Sequence, residues 1–311
     1  MRKNPVLVIA GPTASGKSAL AAQAAHDLNG VVLNCDSMQI YKDIPIIAAA
    51  PTEEEKMLAE HRLFEIYDCD KRGNVVDWLN LCAAEIRKLW AEKRLPVVVG
   101  GTGFYVEALL NGVTPIPETP IEVREQLQAR INQEGLEKLY KELQQKDAEI
   151  AAKLNPNDKT RIVRALEVIA ATGQKLSEWY KKPLIQKLPE AHFITVKIMP
   201  SLDVIATRCC LRLDKMVDEL GVLAEIEKLL NKGVDENMPA MKALGVPELS
   251  SFIKGQMLLP EALDLAKLHT RQYAKRQRTW LKNKMSADIV FENVYEGQKD
   301  YLQQIFNVIK L

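Results

Sequence analysis

The chain has little net charge and no long apolar run, and each shortage excludes a class of protein. Its 42 Lys and Arg nearly balance 41 Asp and Glu, which leaves a formal charge of +1 over 311 residues. Any affinity for a polyanion must therefore come from a local patch rather than from the overall field. No stretch approaches the length that spans a bilayer, and the apolar run after the basic start is too short for a secretion signal. We expect a cytoplasmic protein with no membrane partner.

Cysteines are also few, and they form no recognisable pattern. The five are Cys35, Cys69, Cys82, Cys209 and Cys210. Without a Cys-x-x-Cys pair, the sequence indicates neither a zinc site nor a disulfide framework, and it fits a reducing compartment. Heptads and exposed apolar strips are missing as well, which favours a monomer.

What the chain does have is a phosphate-binding signature near its start. The apolar residues 5–10 lead into Gly-Pro-Thr-Ala-Ser-Gly-Lys-Ser at residues 11–18, and an alanine-rich, helix-forming stretch follows. A strand, a glycine loop and a helix form the context in which backbone N–H groups and the helix dipole cradle phosphates. Lys17 can reach a terminal phosphate, and the Ser18 hydroxyl can ligate Mg²⁺. The sequence therefore predicts binding of a di- or triphosphate.

Two further segments are predicted to share one edge of a sheet with this loop. Residues 31–36 resemble a buried strand that ends in Asp36, and residues 95–99 resemble a third strand followed by a glycine turn with Thr102. The carboxyl ends of parallel strands share one crevice, where ligands bind. Asp36 could hold magnesium through water, act as a general base, or simply cap a turn. Thr102 could face the ligand or belong to a packing turn, and the convergence of three motifs favours the ligand.

The alternation of strands and helices predicts an α/β fold with a doubly wound parallel sheet of the P-loop type and a helical insertion domain. Residues 113–120 are rich in proline, and the pattern is then nearly all helical to about residue 180. Strand character returns at residues 192–198, and helices follow to about residue 284. We assign residues 1–116 and 190–311 to the α/β core, and residues 117–189 to the insertion.

A basic segment lies near the C-terminus. Residues 265–287 contain seven Lys or Arg and no acidic residue. Four of these side chains follow helical steps of four, three and four: Arg271, Lys275, Arg278 and Lys282. The side chains that could seat this helix on the core are Leu268, Tyr273, Trp280 and Leu281. Because an unrelieved positive stripe repels itself, we predict contact with a nucleic-acid backbone and affinity that falls with salt.

Two arginines in the insertion leave two interpretations open. Arg161 and Arg164 are three residues apart and therefore share a helix face. They could clamp phosphates, or they could pair with Asp158 and Glu167 on a solvated surface. The residues alone favour the surface pairs.

Taken together, these segments resemble the bacterial tRNA dimethylallyltransferase (tRNA isopentenyltransferase) family. The matching segments are residues 11–18, 36–41, 100–105, 157–167 and 270–280, which occur in the family's order over nearly the whole chain. The resemblance implies transfer of the dimethylallyl group from dimethylallyl diphosphate to N6 of adenosine 37, next to the anticodon on its 3′ side, with release of diphosphate. The partner would be the anticodon arm of tRNA. The phosphate loop would hold the prenyl donor rather than ATP, with Mg²⁺ at Ser18.

The resemblance also implies roles for single residues. Asp36 would be the base on the adenine amine, with Thr102 near the reacting centre and Lys17 on the diphosphate. The diphosphate would be bound by Gly11, Pro12, Thr13, Ala14, Ser15, Gly16, Lys17, Ser18, Arg208 and Arg212. The tRNA would be bound by Asp36, Ser37, Met38, Gln39, Thr102, Arg124, Thr160, Arg161, Ile162, Val163, Arg164, Arg271, Lys275 and Arg278.

The chain departs from the family's pattern in three places. Residues 47–51 read Ile-Ala-Ala-Ala-Pro where Gly-Thr-Ala-Lys-Pro or its arginine form is usual, so a hydroxyl and a basic side chain are missing. That change concerns substrate affinity or rate rather than reaction class. A single His61 stands where paired histidines are usual, and residues 245–248 lack the usual tyrosine. No cysteine–histidine zinc module follows Lys284, so we expect the short bacterial form.

Three other functions fit parts of the sequence less well than prenyl transfer to tRNA does. A small-molecule kinase could use the same loop for ATP, but the third strand lacks a magnesium-binding Asp at its end and the basic helix would have no role. A prenyltransferase acting on free adenine nucleotides would not explain the insertion with its two arginines. A non-catalytic RNA-binding module would leave Asp36 without a function.

Overall fold

The centre of the protein is a sheet of six parallel strands, seen in a computed structural model that describes residues 3–310. The strands are β1 (Pro5–Ala10), β2 (Gly30–Asn34), β3 (His61–Arg62), β4 (Leu95–Gly100), β5 (His192–Ile198) and β6 (Ile289–Phe291). Their order is β3-β2-β4-β1-β5-β6, and each neighbouring pair is parallel. The predicted α/β fold with a doubly wound parallel sheet is confirmed.

Helices connect the strands and form the remainder of the regular structure. In chain order they are α1 (Lys17–Asp27), α2 (Glu53–Leu58), α3 (Val75–Ala91), α4 (Gly103–Asn111), α5 (Ile121–Glu134), α6 (Leu136–Lys146), α7 (Ala148–Ala151), α8 (Lys159–Thr172), α9 (Leu176–Trp179), α10 (Leu202–Asp218), α11 (Val222–Asn231), α12 (Val246–Ile253), α13 (Leu259–Lys284) and α14 (Lys299–Lys310). A short 3₁₀ turn covers Ala240–Lys242. Among the described residues, none of these helices is both long enough and apolar enough to cross a membrane.

The central strands are apolar along their whole length because both faces of the sheet are covered. In β1, residues 6–10 are all buried, and all six residues of β4 are buried. Such strands carry continuous runs of Val, Ile and Leu rather than alternating polar residues. Residues from β1, β4 and β5 share one hydrophobic cluster with α1 and α14. The sheet therefore provides a rigid edge for the loops that follow its strands.

The chain divides into two compact units. One comprises residues 1–110 and 187–311 and contains the sheet, and the other comprises residues 111–186 and is helical. The helical unit has its own hydrophobic core, in which Leu139, Leu143 and Ile162 are fully buried. A separate core of this kind allows a segment to fold as a unit.

The long helix α13 is seated by smaller and more polar side chains than the sequence predicts. Its buried residues are Ala262, Ala266, Thr270, Ala274, Gln277 and Leu281. Leu268 is 41% exposed, so the expectation that it anchors the helix is wrong. Small side chains on the buried seam let the helix lie close to its neighbours, and Ala274 packs with Ile205 and Cys209 of α10.

Candidate active site

The phosphate loop is a tight turn between β1 and α1. Ala14 and Gly16 both have positive φ angles, 64° and 84°. At Gly16 a Cβ atom would lie 2.4 Å from the backbone oxygen of Tyr295, so only glycine fits against this C-terminal segment. The Tyr295 N–H also donates to the Ser15 carbonyl, at 3.2 Å. The loop is therefore held from outside as well as by its own sequence.

Two polar side chains in the loop are buried with few hydrogen-bond partners. The Ser15 hydroxyl has no hydrogen-bond partner among the described residues. The Lys17 ammonium lies 3.4 Å from the Pro12 carbonyl, and burial lowers the pKa of Lys17 to about 8, while the negative charge of Asp36 opposes that shift. A buried cation and an unpaired hydroxyl beside a helix N-terminus fit an anionic ligand.

The two arginines predicted to approach the diphosphate both contact the loop. Arg208 Nε donates to the Ala14 carbonyl at 3.0 Å, and its Nη1 pairs with Glu296 at 2.5 Å. Arg212 Nη2 donates to Thr13 Oγ1 at 2.6 Å, and burial lowers the pKa of this arginine. Together with Lys17 they place three cationic side chains at one loop.

Asp36 lies immediately after β2 and is oriented by its neighbours. Its N–H donates to Asn34 Oδ1 at 2.7 Å, and the Asn34 amide donates back to the Asp36 carbonyl at 3.0 Å. One carboxylate oxygen accepts from the Met38 N–H at 3.0 Å. Burial lowers the pKa of both Lys17 and Arg212, and the Asp36 carboxylate opposes that shift in each, which places its charge within electrostatic reach of the phosphate loop.

Thr102 connects the loop after β4 to the loop after β2. Its Oγ1 accepts from the Ser37 N–H at 3.0 Å and lies 3.3 Å from the Ser37 hydroxyl. The Tyr273 hydroxyl lies close enough to be influenced by both loops: burial and the charge of Asp36 raise its pKa, and the Thr102 hydroxyl opposes that shift. Tyr273 therefore keeps its proton at neutral pH. Tyr273 was predicted only to seat α13 on the core, so its place beside Asp36 and Thr102 was missed.

Gln277 is a second residue that the sequence analysis missed. Its Oε1 accepts from the Thr13 N–H at 2.9 Å, and its Nε2 donates to the Gly101 carbonyl at 2.8 Å. One side chain of α13 thus joins the phosphate loop to the turn after β4. The available signal was its spacing, because a polar residue occupies a position on the buried seam of an otherwise small and apolar helix face.

Gln39 and the unusual segment near residue 48 belong together. Gln39 Nε2 donates to the carbonyls of Ala48 and Ala49, at 3.2 and 2.6 Å. From the other side, the carboxylate of Glu225 accepts from the N–H groups of Ile46 and Ile47, at 2.7 and 2.9 Å. The Gln39 amide therefore anchors this segment, and its predicted contact with tRNA stays a prediction.

In the helical unit, the predicted RNA-binding residues differ in what they can reach. Arg161 lies 3.4 Å from Asp158, and Arg164 contacts Glu167 and Thr119, at 3.3 and 2.7 Å, as the surface-pair interpretation expects.

Ile162 is fully buried in the helical core, so its side chain cannot touch RNA. The remaining candidates differ in exposure: Thr160 is exposed, Arg124 is partly buried, and Val163 packs on the core.

The basic residues of α13 are not equivalent either. Arg271 and Lys275 are exposed, whereas Arg278 is partly buried and its Nε donates to the Pro200 carbonyl at 2.9 Å. The binding of RNA by these three residues stays a prediction.

Oxygen donors suited to a magnesium ion lie beside the phosphate loop. Within residues 3–310, no cluster of three or more His, Cys, Asp or Glu side chains is arranged to hold a metal. Ser18, partly buried in the first turn of α1, offers one hard oxygen ligand, and the Asp36 carboxylate, whose charge acts on the adjacent Lys17, could hold the ion through water. This small set fits Mg²⁺, which usually keeps several waters and binds substrate phosphates.

Comparison with known proteins connects this geometry to one group of sequences. A family model described as IPP transferase matches residues 39–284. A tRNA dimethylallyltransferase from Zymomonas mobilis is 40% identical over 300 residues, 94% of this chain and 95% of that protein. Another from Rhodospirillum centenum is 41% identical over 283 residues, 91% of this chain and 90% of its own.

Solved structures agree with the sequence comparison. The tRNA isopentenylpyrophosphate transferase from Bacillus halodurans superposes with a TM-score of 0.68 at 32% identity, covering 99% of this chain and 96% of its own. A eukaryotic dimethylallyltransferase acting on tRNA superposes with a TM-score of 0.80 at 27% identity, covering 98% of this chain and 78% of that one.

Proposed function

The chain belongs to the IPP transferase family, and on that premise we propose that it transfers the dimethylallyl group from dimethylallyl diphosphate to N6 of adenosine 37 in tRNA, with release of diphosphate. The observation that carries this proposal is the proximity of a carboxylate to an anion cradle. Asp36 follows β2 and the phosphate loop follows β1, with β4 between these two strands in the sheet, and the charge of Asp36 acts on Lys17. An acceptor for a proton and a site for a departing diphosphate are thereby brought together.

The phosphate loop supports departure of the diphosphate. When the bond between C1 of the prenyl group and oxygen breaks, negative charge builds on the leaving oxygen. In the proposed reaction the loop N–H groups, Lys17 and Arg212 would surround that oxygen, and the bonds of Lys17 to Pro12 and of Arg212 to Thr13 hold both cations at the loop beforehand. A preorganised cradle of this kind is worth more than the same charges in water, because no reorganisation is required at the moment of bond breaking.

Magnesium would be held at the same place. Ser18 would supply one oxygen ligand, with the diphosphate oxygens and waters completing the shell. When bound, the ion neutralises charge on the leaving diphosphate.

Asp36 is the proposed proton acceptor. The amino group of adenine is a weak nucleophile, so its proton must leave as the new N6–C1 bond forms. Asn34 holds the backbone of Asp36, and the Met38 N–H donates to the carboxylate. Thr102 fixes the adjacent Ser37, and the protonated Tyr273 hydroxyl lies within electrostatic reach of Asp36. The adenosine must leave the stacked anticodon loop to reach this position, as bases do in other base-modifying enzymes. A substrate of this kind implies a cytoplasmic enzyme.

The test is incubation of the protein with radiolabelled dimethylallyl diphosphate, magnesium and unmodified tRNA. We expect label in tRNA at adenosine 37. Label that enters only free AMP would support a nucleotide prenyltransferase instead, and phosphate transfer from ATP to a small molecule would support a kinase. Binding of tRNA without any transfer would leave only an RNA-binding module.

A further inference from the structure

The exposed surface of α13 is divided into two basic faces. A helix turns by about 100° per residue, so residues two positions apart lie on nearly opposite sides. The predicted stripe, here called the Arg278 face, consists of Arg271, Lys275, Arg278 and Lys282. The opposite side, here called the Trp280 face, consists of Tyr273, Arg276, Trp280, Asn283 and Lys284. The buried seam with Ala274 and Gln277 separates the two faces on the side of the core.

The Trp280 face is continuous with the candidate active site. The Tyr273 hydroxyl is influenced electrostatically by Thr102 and by Asp36, which places it near both. Two turns further along the same face, the Trp280 ring lies against Gly103, where a Cβ atom would come within 2.4 Å of the indole. Phe104, the next residue of α4, is 60% exposed. Tyr273, Trp280 and Phe104 thus place three aromatic side chains around the turn that carries Thr102.

The Arg278 face is turned to a different part of the molecule. Arg278 donates to Pro200, immediately before α10, and Lys267 on the same side of the helix pairs with Asp214 of α10. The cationic groups of Arg278 and Lys267 on this side are therefore already bonded to other parts of the protein. A substrate that enters beside Thr102 and Asp36 would meet the Trp280 face first.

An open groove runs along the solvent side of α13, from Lys275 of the Arg278 face across to the Trp280 face. It has a volume of about 390 Å³ and is lined by Lys275, Arg276, Thr279, Trp280, Asn283 and Lys284. Three of the six lining side chains are cationic, one is a large aromatic, and none is acidic. Positive charge combined with an aromatic platform is the arrangement that binds single-stranded nucleic acid, because bases stack on the ring while cations meet the phosphates.

We infer that this groove binds single-stranded RNA flanking the reactive adenosine, with a base against Trp280 and the backbone at Arg276 and Lys284. The inference rests on the proposed function. It assigns RNA contact to the face of α13 opposite the predicted stripe. Lys275 lines the groove while belonging to the stripe, so it does not distinguish the two faces and is left unchanged in the test.

The test compares two double variants of equal charge. Arg276→Gln with Lys284→Gln removes two cations from the Trp280 face, and Arg271→Gln with Lys282→Gln removes two exposed cations from the Arg278 face. Binding to unmodified tRNA is measured over a range of salt concentrations. We expect the first double variant to lose about tenfold or more in affinity, and its salt slope to fall by about 1.4, or 0.7 for each phosphate contact to single-stranded RNA. The second should lose less. An equal or larger loss in the second would overturn the inference.

Stacking on Trp280 has a separate readout. A short single-stranded oligonucleotide with the anticodon-loop sequence should quench tryptophan fluorescence in the unaltered protein. Trp280→Phe keeps an aromatic ring against Gly103 and removes this indole, so most of the quenching should disappear. Quenching that persists in Trp280→Phe would contradict base stacking at this position.

Prenyl transfer by the unaltered protein, measured in the same preparation, separates the two proposals. If label enters tRNA but the first double variant binds tRNA normally, the groove inference fails and the proposed function stands. If tRNA binds through the groove and no label is transferred, the proposed function fails and the groove inference stands.

Discussion

Among single residues, Lys17 and Asp36 show how burial and charge oppose each other in the site. Burial removes water from the Lys17 ammonium and lowers its pKa to about 8, and the carboxylate of Asp36 limits that shift. The favourable role of Lys17 depends on the protonated form, because only the ammonium attracts a diphosphate. Lys17 can therefore attract the diphosphate only at pH values at which its ammonium group keeps its proton.

Affinity for dimethylallyl diphosphate should be constant below about pH 8 and should fall above it, because Lys17 loses its proton in the free protein. The loss should approach tenfold per pH unit, since one proton is taken up on binding. Calorimetric titration with the donor across this range measures it. Asp36→Asn removes the opposing charge and should move the decline to lower pH. A decline that starts only near pH 10 would contradict this account.

The contribution of Lys17 to the stability of the unliganded protein changes with pH in the opposite direction to its contribution to donor affinity. The unfolded chain holds the Lys17 proton up to about its ordinary pKa of 10.5, so between about 8 and 10.5 the unfolded state binds more protons. For this one group, rising pH therefore favours the folded state in that window. The weaker donor binding expected above pH 8 therefore does not reflect unfolding of the protein, because the titration of Lys17 favours the folded state in that range.

Asp36→Asn preserves shape and removes the proposed proton acceptor. We expect tRNA binding and donor binding at neutral pH to be retained, while single-turnover transfer slows by at least about a hundredfold, the usual scale for a general base. Filter binding and a rapid-quench assay separate the two effects. Ser37→Ala is a neighbouring control that leaves the carboxylate in place and should lose less. Near-normal turnover of Asp36→Asn would remove Asp36 from the mechanism.

At the scale of secondary structure, α13 does more than present charge. Gln277 on its buried seam accepts from Thr13 and donates to Gly101, so the helix is bonded to the loops that follow both β1 and β4. The C-terminal end of the same helix is also secured, because the buried Lys197 ammonium donates to the carbonyls of Leu281 and Met285, at 3.4 and 2.6 Å. Cations at a helix C-terminus are favourable because they complement its dipole.

Gln277→Leu should weaken binding of dimethylallyl diphosphate by about tenfold while the helix content stays unchanged. The substitution keeps the approximate volume but leaves the Thr13 N–H and the Gly101 carbonyl unpaired, which costs about 1–3 kcal/mol for each buried group. Calorimetry with the donor and far-ultraviolet circular dichroism measure the two quantities. The matched control is Gln272→Leu at an exposed position of α13, which should bind the donor normally. Equal binding by both variants would show that Gln277 does not position the loop.

For the whole molecule, the separate core of residues 111–186 predicts that donor binding and insertion stability are independent. Every residue proposed to bind the diphosphate lies in the unit that contains the sheet. The helical unit is held by a cluster of its own, with Leu139 fully buried near its centre. Damage to that cluster should therefore affect the substrate that needs the insertion, and not the donor.

Leu139→Ala should destabilise the helical unit by about 2–5 kcal/mol, the usual cost of a large cavity in a core. Donor binding should be unchanged, while transfer to tRNA should be lost at a lower temperature than in the unaltered protein. Leu184→Ala, at a residue that is 50% exposed in the same unit, is the control and should have little effect. Donor binding that weakens in parallel with Leu139→Ala would show that the two units are not independent.

The sequence by itself determined the parallel sheet, the glycine turn between β1 and α1, and the return of the chain at β5. Those features depend on local patterns: apolar β-branched runs predict buried strands, and Gly-x-x-x-x-Gly-Lys-Ser after such a strand predicts a phosphate cradle. The helical insertion was recognisable for the same reason. The positions of Asp36 and Thr102 near the loop also followed, because parallel strands end at one edge.

Only the tertiary structure decided which side chains meet across that edge. Tyr273 and Gln277 are distant in sequence from Thr102 and Thr13, and no local pattern indicates that α13 packs over both loops. The periodicity of α13 showed a positive stripe, but it could not show that Arg278 is bonded to Pro200 or that Trp280 lies against Gly103. Helical spacing fixes which residues share a face, whereas packing against other elements determines what that face contacts.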